Sequence, residues 1–220
     1  MTLKKGDFIT LDFTGTDKNN KHVFDTTKKE VAQENGIYED RVNYEPITIC
    51  IGEGHVLPGL DKALEGKKEE ESFTITLQPE EAFGKKKSDA LKLMPKKVFQ
   101  KQDINPQPGL EVNIDNMRGT IKNVSGNRII VDFNHPLSGH EITYEIDIHK
   151  KIQDTKKQVE TIVGMALRHQ PEIELEDKKA TIHFPVELPE DLQEELTKQI
   201  TTLTETKEVI FKKSEAKSTQ

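Results

Sequence analysis

The sequence of 220 residues holds one cysteine, no tryptophan and few aromatic residues of any kind, at 5%. A single thiol, Cys50, cannot build an internal disulfide framework, which points to a reducing, cytoplasmic setting. The Asn-Val-Ser sequon at Asn123 then has no glycosylation to serve. No run of 18 apolar residues occurs, so no membrane-spanning helix is predicted. The opening MTLKKGDFITLDF lacks the apolar stretch of a secretory leader, so no signal peptide is expected. Positive charge is not in excess either: 32 Lys and Arg stand against 39 Asp and Glu, for a net charge of −7. A nucleic-acid binder would carry a basic patch or stripe, and that class is excluded. No HExxH, CxxC, G-x-S-x-G or phosphate-loop lysine is present. Apolar residues reach only 33%, where about 45–50% counted with glycine is usual, so the core is predicted to be lean and divided. At roughly 100–150 residues per domain, the length allows one or two domains and small modules.

What is present is strand rhythm, interrupted twice. Over 8–13 the residues alternate, with Ile9, Leu11 and Phe13 on one face and Phe8, Thr10 and Asp12 on the other. Ile47, Ile49 and Ile51 repeat the pattern with Cys50 on the opposite side, and so do Phe73, Ile75 and Leu77. Between these two runs, apolar positions 57, 60, 63 and 64 follow helical spacing, with Gly66 placed to end the helix. The spacing predicts a short helix laid across a sheet. Residues 28–46 break the strand rhythm and read as an inserted loop or short helix.

Residues 84–136 change character. A strand over 89–94 and a helical turn over 95–100 precede the breaker Ile104-Asn105-Pro106-Gln107-Pro108-Gly109. Strands follow over 110–114, 117–124 and 127–133, the last two turning around Ser125-Gly126. Ile142, Tyr144, Ile146 and Ile148 then resume the earlier style, the pattern of a small β-module inserted in a loop. From Asp154 the period becomes helical through Val159, Ile162, Val163 and Ala166. Strands over 172–175 and 180–184 come next. A helix from Pro189 carries Leu192, Leu196, Ile200 and Leu203 on one face, and a strand over 207–211 precedes a polar tail. This α-β-β-α-β order predicts a compact C-terminal α+β piece.

Reactive groups are sparse. Gly52-Glu53-Gly54 has an acid where a phosphate would sit and no Lys-Ser/Thr partner, so it reads as a turn between strand and helix. The seven histidines (22, 55, 135, 140, 149, 169 and 183) are scattered, and only His135 and His140 are close, without a cysteine. Solvated or hydrogen-bonded roles suit them better than metal ligation. Large apolar residues beside turns stand out instead: Phe24-Asp25-Thr26-Thr27, Val56-Leu57-Pro58-Gly59-Leu60 and Pro79-Glu80-Glu81-Ala82-Phe83-Gly84. With Phe13 and Tyr144 they would line an apolar pocket holding one acid.

Taken in order, Phe24-Asp25-Thr26-Thr27, GEGHVLPGLDKALEG at 52–66, PEEAFG at 79–84 and VDFNHPLSGHEITYEI at 131–146 resemble the FKBP-type peptidyl-prolyl cis-trans isomerases. The similarity is greatest to the SlyD-like branch, which inserts a domain in the flap, and the C-terminal extension resembles the long archaeal forms. It covers about residues 3–152. The resemblance implies an α+β fold in which an antiparallel half-barrel sheet wraps a short helix, with a small β-rich domain inserted and an α+β domain appended. Expected boundaries are 1–84 with 137–152 for the isomerase domain, 85–136 for the insert and 153–220 for the C-terminal domain.

The activity implied is rotation about an Xaa-Pro amide, with no covalent intermediate and no cofactor or metal. The catalytic positions carried over are Phe13, Phe24, Asp25, Phe83 and Tyr144, with Ile47, Val56, Leu57 and Leu60 completing the proline pocket. The Leu57 N–H would donate to a substrate carbonyl. Phe83 stands where many members have tyrosine, and the missing hydroxyl is worth about 0.5–1.5 kcal/mol of binding. In the insert, Leu93, Met94, Val98, Phe99 and Met117 are the candidate contacts to unfolded chains. Expected partners are therefore proline-containing, unfolded or partly folded polypeptides, not nucleic acid or membrane. Self-association or partner docking through the C-terminal domain is a further expectation. The alternative is a non-catalytic holdase on the same scaffold. SlyD proteins often carry a metal-binding His/Cys tail, but the tail over 212–220 has neither residue, so nickel delivery is not carried over.

Overall fold

The computed structural model describes residues 2–168 and 171–213. His169 and positions 214–220 of the polar tail lie outside the described residues. In chain order the elements are β1 (Phe8–Asp17), β2 (His22–Thr26), α1 (Lys29–Glu34), β3 (Ile47–Cys50), α2 (Pro58–Leu64) and β4 (Ser72–Leu77). Next come β5 (Leu91–Pro95), α3 (Lys96–Gln100), β6 (Glu111–Ile114), β7 (Met117–Ser125), β8 (Arg128–Asp132) and β9 (Ile142–Lys151). The C-terminal run is α4 (Thr155–Leu167), β10 (Glu172–Glu176), β11 (Lys179–Phe184), α5 (Glu190–Leu203) and β12 (Glu208–Lys213). The fold is mixed α and β with largely antiparallel sheets. Two compact units result, one within 1–16, 21–76 and 143–220 and the other within 17–20 and 77–142. Among the described residues, no helix is long and apolar enough to cross a membrane.

The first unit is built on a five-stranded sheet in the order β2-β1-β9-β4, with β3 also pairing β1. That pairing is antiparallel, Phe8 opposite Cys50 and Leu11 opposite Ile47. Pro58 opens α2 at its first turn, where no backbone donor is needed, and Gly66 turns the chain away at φ +85°. Leu60 and Leu64 form the buried face of α2. The Gly52–Gly54 loop before it is held from inside the helix. The Asp61 carboxylate accepts the Gly52 N–H at 2.8 Å and the Gly54 N–H at 3.2 Å, so the loop's own anion occupies it. Residues 28–46 supply α1 and a loop pinned by Tyr38 stacked on Tyr44, ring centres 5.3 Å apart.

The C-terminal run packs α4 and α5 on a three-stranded sheet in the order β10-β11-β12. β10 and β11 are antiparallel and β11 and β12 parallel. The Asp154 side chain caps α4, accepting the Lys156 N–H at 2.9 Å. Val159, Ile162, Val163, Ile173, Ile182, Leu196 and Ile200 close the core, and Phe8, Cys50 and Ile152 belong to it too. Phe8 and Cys50, which strand alternation put on the second face of β1 and β3, are therefore covered by the C-terminal run. Burial there pushes the Cys50 thiol up to about 12, with Glu53, Asp61 and Asp7 adding to it, so the thiol is inert at neutral pH.

The second unit carries a four-stranded antiparallel sheet in the order β5-β8-β7-β6. Asp115 and Asn116, at φ +51° and +61°, make the tight β6–β7 turn, a conformation that short polar side chains tolerate. Phe99, Val112, Ile114, Ile121, Ile129 and Val131 form its core. Phe99 is fully buried and Met94 and Val98 pack on the same core. This corrects the expectation of an exposed contact for Phe99: a module this small needs a large side chain at its centre, and α3 supplies the Phe99 ring while Phe133 packs at the edge of the same core.

Candidate active site

Three rings gather over the β1–β9 part of the first sheet. Tyr144 on β9 meets Phe13 on β1 edge to face at 5.9 Å and 64°, and meets Phe24 on β2 at 6.0 Å and 87°. These are the favoured orientations for aromatic quadrupoles, positive edge against negative face. Room for them comes from Gly15. A Cβ at that position would lie 2.7 Å from Phe24 Cζ and 2.9 Å from Tyr144 Cε1, both well inside contact distance. Gly15 sits mid-strand without a positive φ, so no turn signal marks it in the sequence, and the sequence reading missed it.

Asp25 follows Phe24 at the end of β2, and that end is tied to β1 by a threonine network. The Thr26 hydroxyl donates to the Phe13 carbonyl at 3.0 Å and lies 2.9 Å from the Thr14 hydroxyl. The Phe13 N–H donates to the Thr27 hydroxyl at 3.0 Å, and that hydroxyl donates to Asp12 at 2.5 Å. Asp12 in turn sits 2.8 Å from His149 on β9. Threonine at 26 and 27 thus sets the position of Asp25 against the rings. Asp25 reaches solvent as a residue, yet loss of water around its carboxyl raises the pKa, against an opposing Thr26 backbone hydrogen bond. Tyr144 is buried, and its hydroxyl is pushed up by that burial and by the negative charge of Asp25. The phenol stays protonated at any physiological pH.

The remaining predicted pocket residues fall on the loop and helix that follow β3. His55 Nδ1 accepts the Cys50 N–H at 3.0 Å and holds the chain leading to Val56 and Leu57, which are both half-buried. Leu57 caps α2 through its carbonyl, which takes the Asp61 N–H at 2.9 Å, while its own N–H makes no hydrogen bond among the described residues. Leu60 is buried at 2% exposure. Ile47 is half-buried and also lines a hollow of about 760 Å³ with Pro46, Thr48, Lys157, Thr161 and Met165. That hollow contains neither Asp25 nor any of the three rings, so it is not the candidate site.

Phe83 belongs to the second unit. Its ring lies flat on His135, centres 4.6 Å apart and planes 1° apart, and its carbonyl accepts the Ser138 hydroxyl at 3.1 Å. His140 pairs instead with the buried Asp17, Nδ1 to Oδ2 2.8 Å. Neither histidine is a lone solvated ring, and no group of three His, Cys, Asp or Glu among the described residues is arranged to hold a metal ion. On the sheet of the second unit, Leu91, Leu93, Met117 and Ile130 remain exposed, Leu93 most of all at 61%. Leu93 pairs directly with Ile130, so the two stand side by side.

Residues 1–102 match the family model of FKBP-type peptidyl-prolyl cis-trans isomerases, and residues 92–137 match the model described as FKBP26, IF domain. The chain is 33% identical over 146 residues to a short-type peptidyl-prolyl cis-trans isomerase of Methanocaldococcus jannaschii, covering 66% of this chain and 92% of the relative. It is 32% identical over 108 residues to a probable FKBP-type 16 kDa isomerase of Pseudomonas fluorescens, covering 47% and 71%. With SlyD of Vibrio cholerae it shares 30% over 124 residues, covering 54% and 61%.

Proposed function

Because the chain belongs to the FKBP-type, SlyD-like peptidyl-prolyl cis-trans isomerases, we propose that it turns Xaa-Pro bonds of folding polypeptides against the Phe13–Phe24–Tyr144 rings, while the 85–136 insert holds the unfolded client. The barrier to rotation is about 18–20 kcal/mol because the amide must give up its resonance. As the amide twists, its charge separation falls and water solvates it less well. An apolar, water-poor surface therefore binds the twisted form better than the planar one, and only such differential binding speeds the reaction. The observation that carries the reading is the ring group with one carboxylate at its rim, a carboxylate whose raised pKa reports its poor solvation.

Asp25 acts through its charge on the rotating amide and carries no proton, since no step of the reaction needs one. Val56, Leu57 and Leu60 complete the proline pocket, and the unpartnered Leu57 N–H is suited to donate to a substrate carbonyl. Support for the client-holding role comes from the exposed Leu91, Leu93 and Ile130 on one sheet face, and from Met117, whose flexible thioether adapts to varied partners. Holding a chain near the slow site raises its effective concentration there without any new contact in the pocket.

The test is refolding of a protein limited by proline isomerisation, with this chain at substoichiometric amounts. The full chain is expected to accelerate refolding with turnover. Replacing 85–136 by a short linker is feasible because the Gly139 N–H already donates to the Gly84 carbonyl at 2.8 Å, closing the base of the insertion. That variant is expected to keep its rate on a tetrapeptide within about twofold and to lose about 10²-fold on the refolding protein. Equal rates on the protein would remove the insert from the mechanism. Suppressed aggregation without acceleration would instead make the chain a holdase, the reading that the missing hydroxyl at Phe83 favours.

A further inference from the structure

The three strands that carry the ring group are also tied together through the opposite face of the sheet. Strand alternation sends the Asp12 side chain to the face of β1 away from the Phe13 ring, and His149 to the face of β9 away from Tyr144. There the Asp12 carboxylate is the centre of a clamp. Its Oδ1 accepts the Thr27 hydroxyl at 2.5 Å, and its Oδ2 lies 2.8 Å from His149 Nε2. A carboxylate only accepts, so the hydrogen of the second contact sits on Nε2 in either protonation state of the ring. The Asp12 side chain is 14% exposed, so little water competes for these bonds.

The clamp closes on the turn that follows Asp25. The Phe13 N–H donates to the Thr27 hydroxyl oxygen at 3.0 Å. The Phe13 carbonyl accepts the Thr26 hydroxyl at 3.0 Å and the Thr27 N–H at 3.1 Å, which fills both of its lone pairs. The Thr27 hydroxyl lies 3.4 Å from that same carbonyl, and Asp12, at 2.5 Å, draws its proton away. Without Asp12, three donors would compete for two lone pairs, and the bond lost would be one that holds residue 26 or 27 to β1. The Asp25 carboxyl depends on that turn, because a Thr26 backbone hydrogen bond favours its charged form. Lys28 carries the tie on to β9, its Nζ donating to Asp147 Oδ2 at 2.6 Å.

We propose that Asp12 is a positioning residue of the isomerase reaction: it aims Asp25 at the rotating amide by holding the Thr26–Thr27 turn against β1, and it does not touch the substrate itself. This rests on the isomerase reading above and on groups of the first unit alone.

The measurement is kcat/KM of the full chain on an Xaa-Pro tetrapeptide, taken well below each variant's melting temperature. Asp12→Ala is expected to lower it about fivefold, the usual worth of one hydrogen bond. Asp12→Asn keeps an oxygen for Thr27 and offers an N–H to His149, whose other tautomer accepts it, so a loss of at most about twofold is expected. The deciding comparison is the cycle with Asp25→Asn. A residue that acts through Asp25 has little left to lose once that charge is gone, so adding Asp12→Ala to Asp25→Asn is expected to cost less than about twofold. The same fivefold loss in both backgrounds would overturn the proposal, because packing acts whether or not residue 25 is charged. So would an Asp12→Asn variant as slow as Asp12→Ala, which would make the charge of Asp12 the cause and not its hydrogen bonds. A wild-type chain inactive on the peptide strikes down the isomerase site and the role of Asp12 with it, whereas an active wild type with an indifferent Asp12→Ala strikes down the role alone.

Discussion

Two additions interrupt or extend the ring-bearing sheet, and they treat apolar surface in opposite ways. The C-terminal run turns α4, α5 and its own small sheet inward and takes Phe8 and Cys50 of the main sheet into the same core. Ile162, Ile182 and Ile200 are fully buried, Phe184 and Phe211 pack partly buried against the same core, and Met165 and Val186 stay exposed without pairing into a strip. The insert has one sheet and one short helix, so only one face is covered, by Phe99, and Leu93 and Ile130 stand paired on the other. A segment that gathers most of its apolar residues and some of its neighbour's into one core is structural. One that leaves a paired apolar strip in water, on a face its own core does not need, has surface to lend to another chain.

Removing each addition gives the largest contrast. Truncation after Ile152 strips the cover from Phe8, Cys50 and Ile152. At about 1.5–3 kcal/mol for each large apolar side chain returned to water, and about 2–4 °C per kcal/mol for a chain of this size, the melting temperature is expected to fall by roughly 10 °C or more. Thermal unfolding followed by circular dichroism checks it. An unchanged midpoint would mean that the C-terminal run is a passenger and that the comparison is misdrawn.

The next effect lies at the ring group. Asp25→Asn keeps the shape and removes the charge, and the isomerase rate is expected to drop about tenfold, or 1.4 kcal/mol of barrier. The pH dependence separates charge from packing. With its folded pKa raised above the unfolded value, Asp25 adds stability that is present at low pH and lost as pH rises through the folded pKa. At pH 7 the ionised carboxyl is therefore a net cost to folding. Asp25→Asn is expected to melt slightly higher there, with the difference vanishing towards pH 3. The wild-type rate is expected to fall on acidification, starting above the usual carboxylate pKa of about 4, while the Asn variant shows no such limb. A tenfold slower variant with the wild-type acid limb would assign the titration to another group.

Much of this was legible in the sequence, and what was not has physical reasons. Alternation and helical spacing located most strands and helices to within a residue or two, because each buries one face and the period records it. β1 and β9, however, run on to Asp17 and Lys151, past the predicted ends, and β2 was not read as a strand. The same alternation placed Phe8 and Cys50 opposite the isoleucines, but a pattern read strand by strand cannot say that a run 150 residues later covers that face. Phe99 looked like a surface contact because five helical residues are too few to show which side is inside. Gly15 left no trace, since its role is the absence of a Cβ beneath two rings contributed by other strands. His135 was read beside His140, its neighbour in sequence, whereas in space it belongs to Phe83 and His140 to Asp17.

The smallest expected change in stability tests the other half of the comparison. Leu93 is 61% exposed and paired with Ile130 on the uncovered face, so neither packing nor a backbone conformation depends on its side chain. Leu93→Ser is expected to shift the unfolding free energy by no more than about 0.5 kcal/mol, as ordinary surface substitutions do. If the strip holds clients, the same change weakens suppression of aggregation of an unfolded protein and leaves tetrapeptide isomerisation untouched. Chemical denaturation and light scattering on one preparation separate the two readouts. Because the strip is read as surface the fold does not use, a large loss of stability would count against it as strongly as unimpaired suppression. A large loss of stability would return Leu93 to the core of its module, unimpaired suppression would take it out of client holding, and in either case the contrast between the two additions would reduce to size.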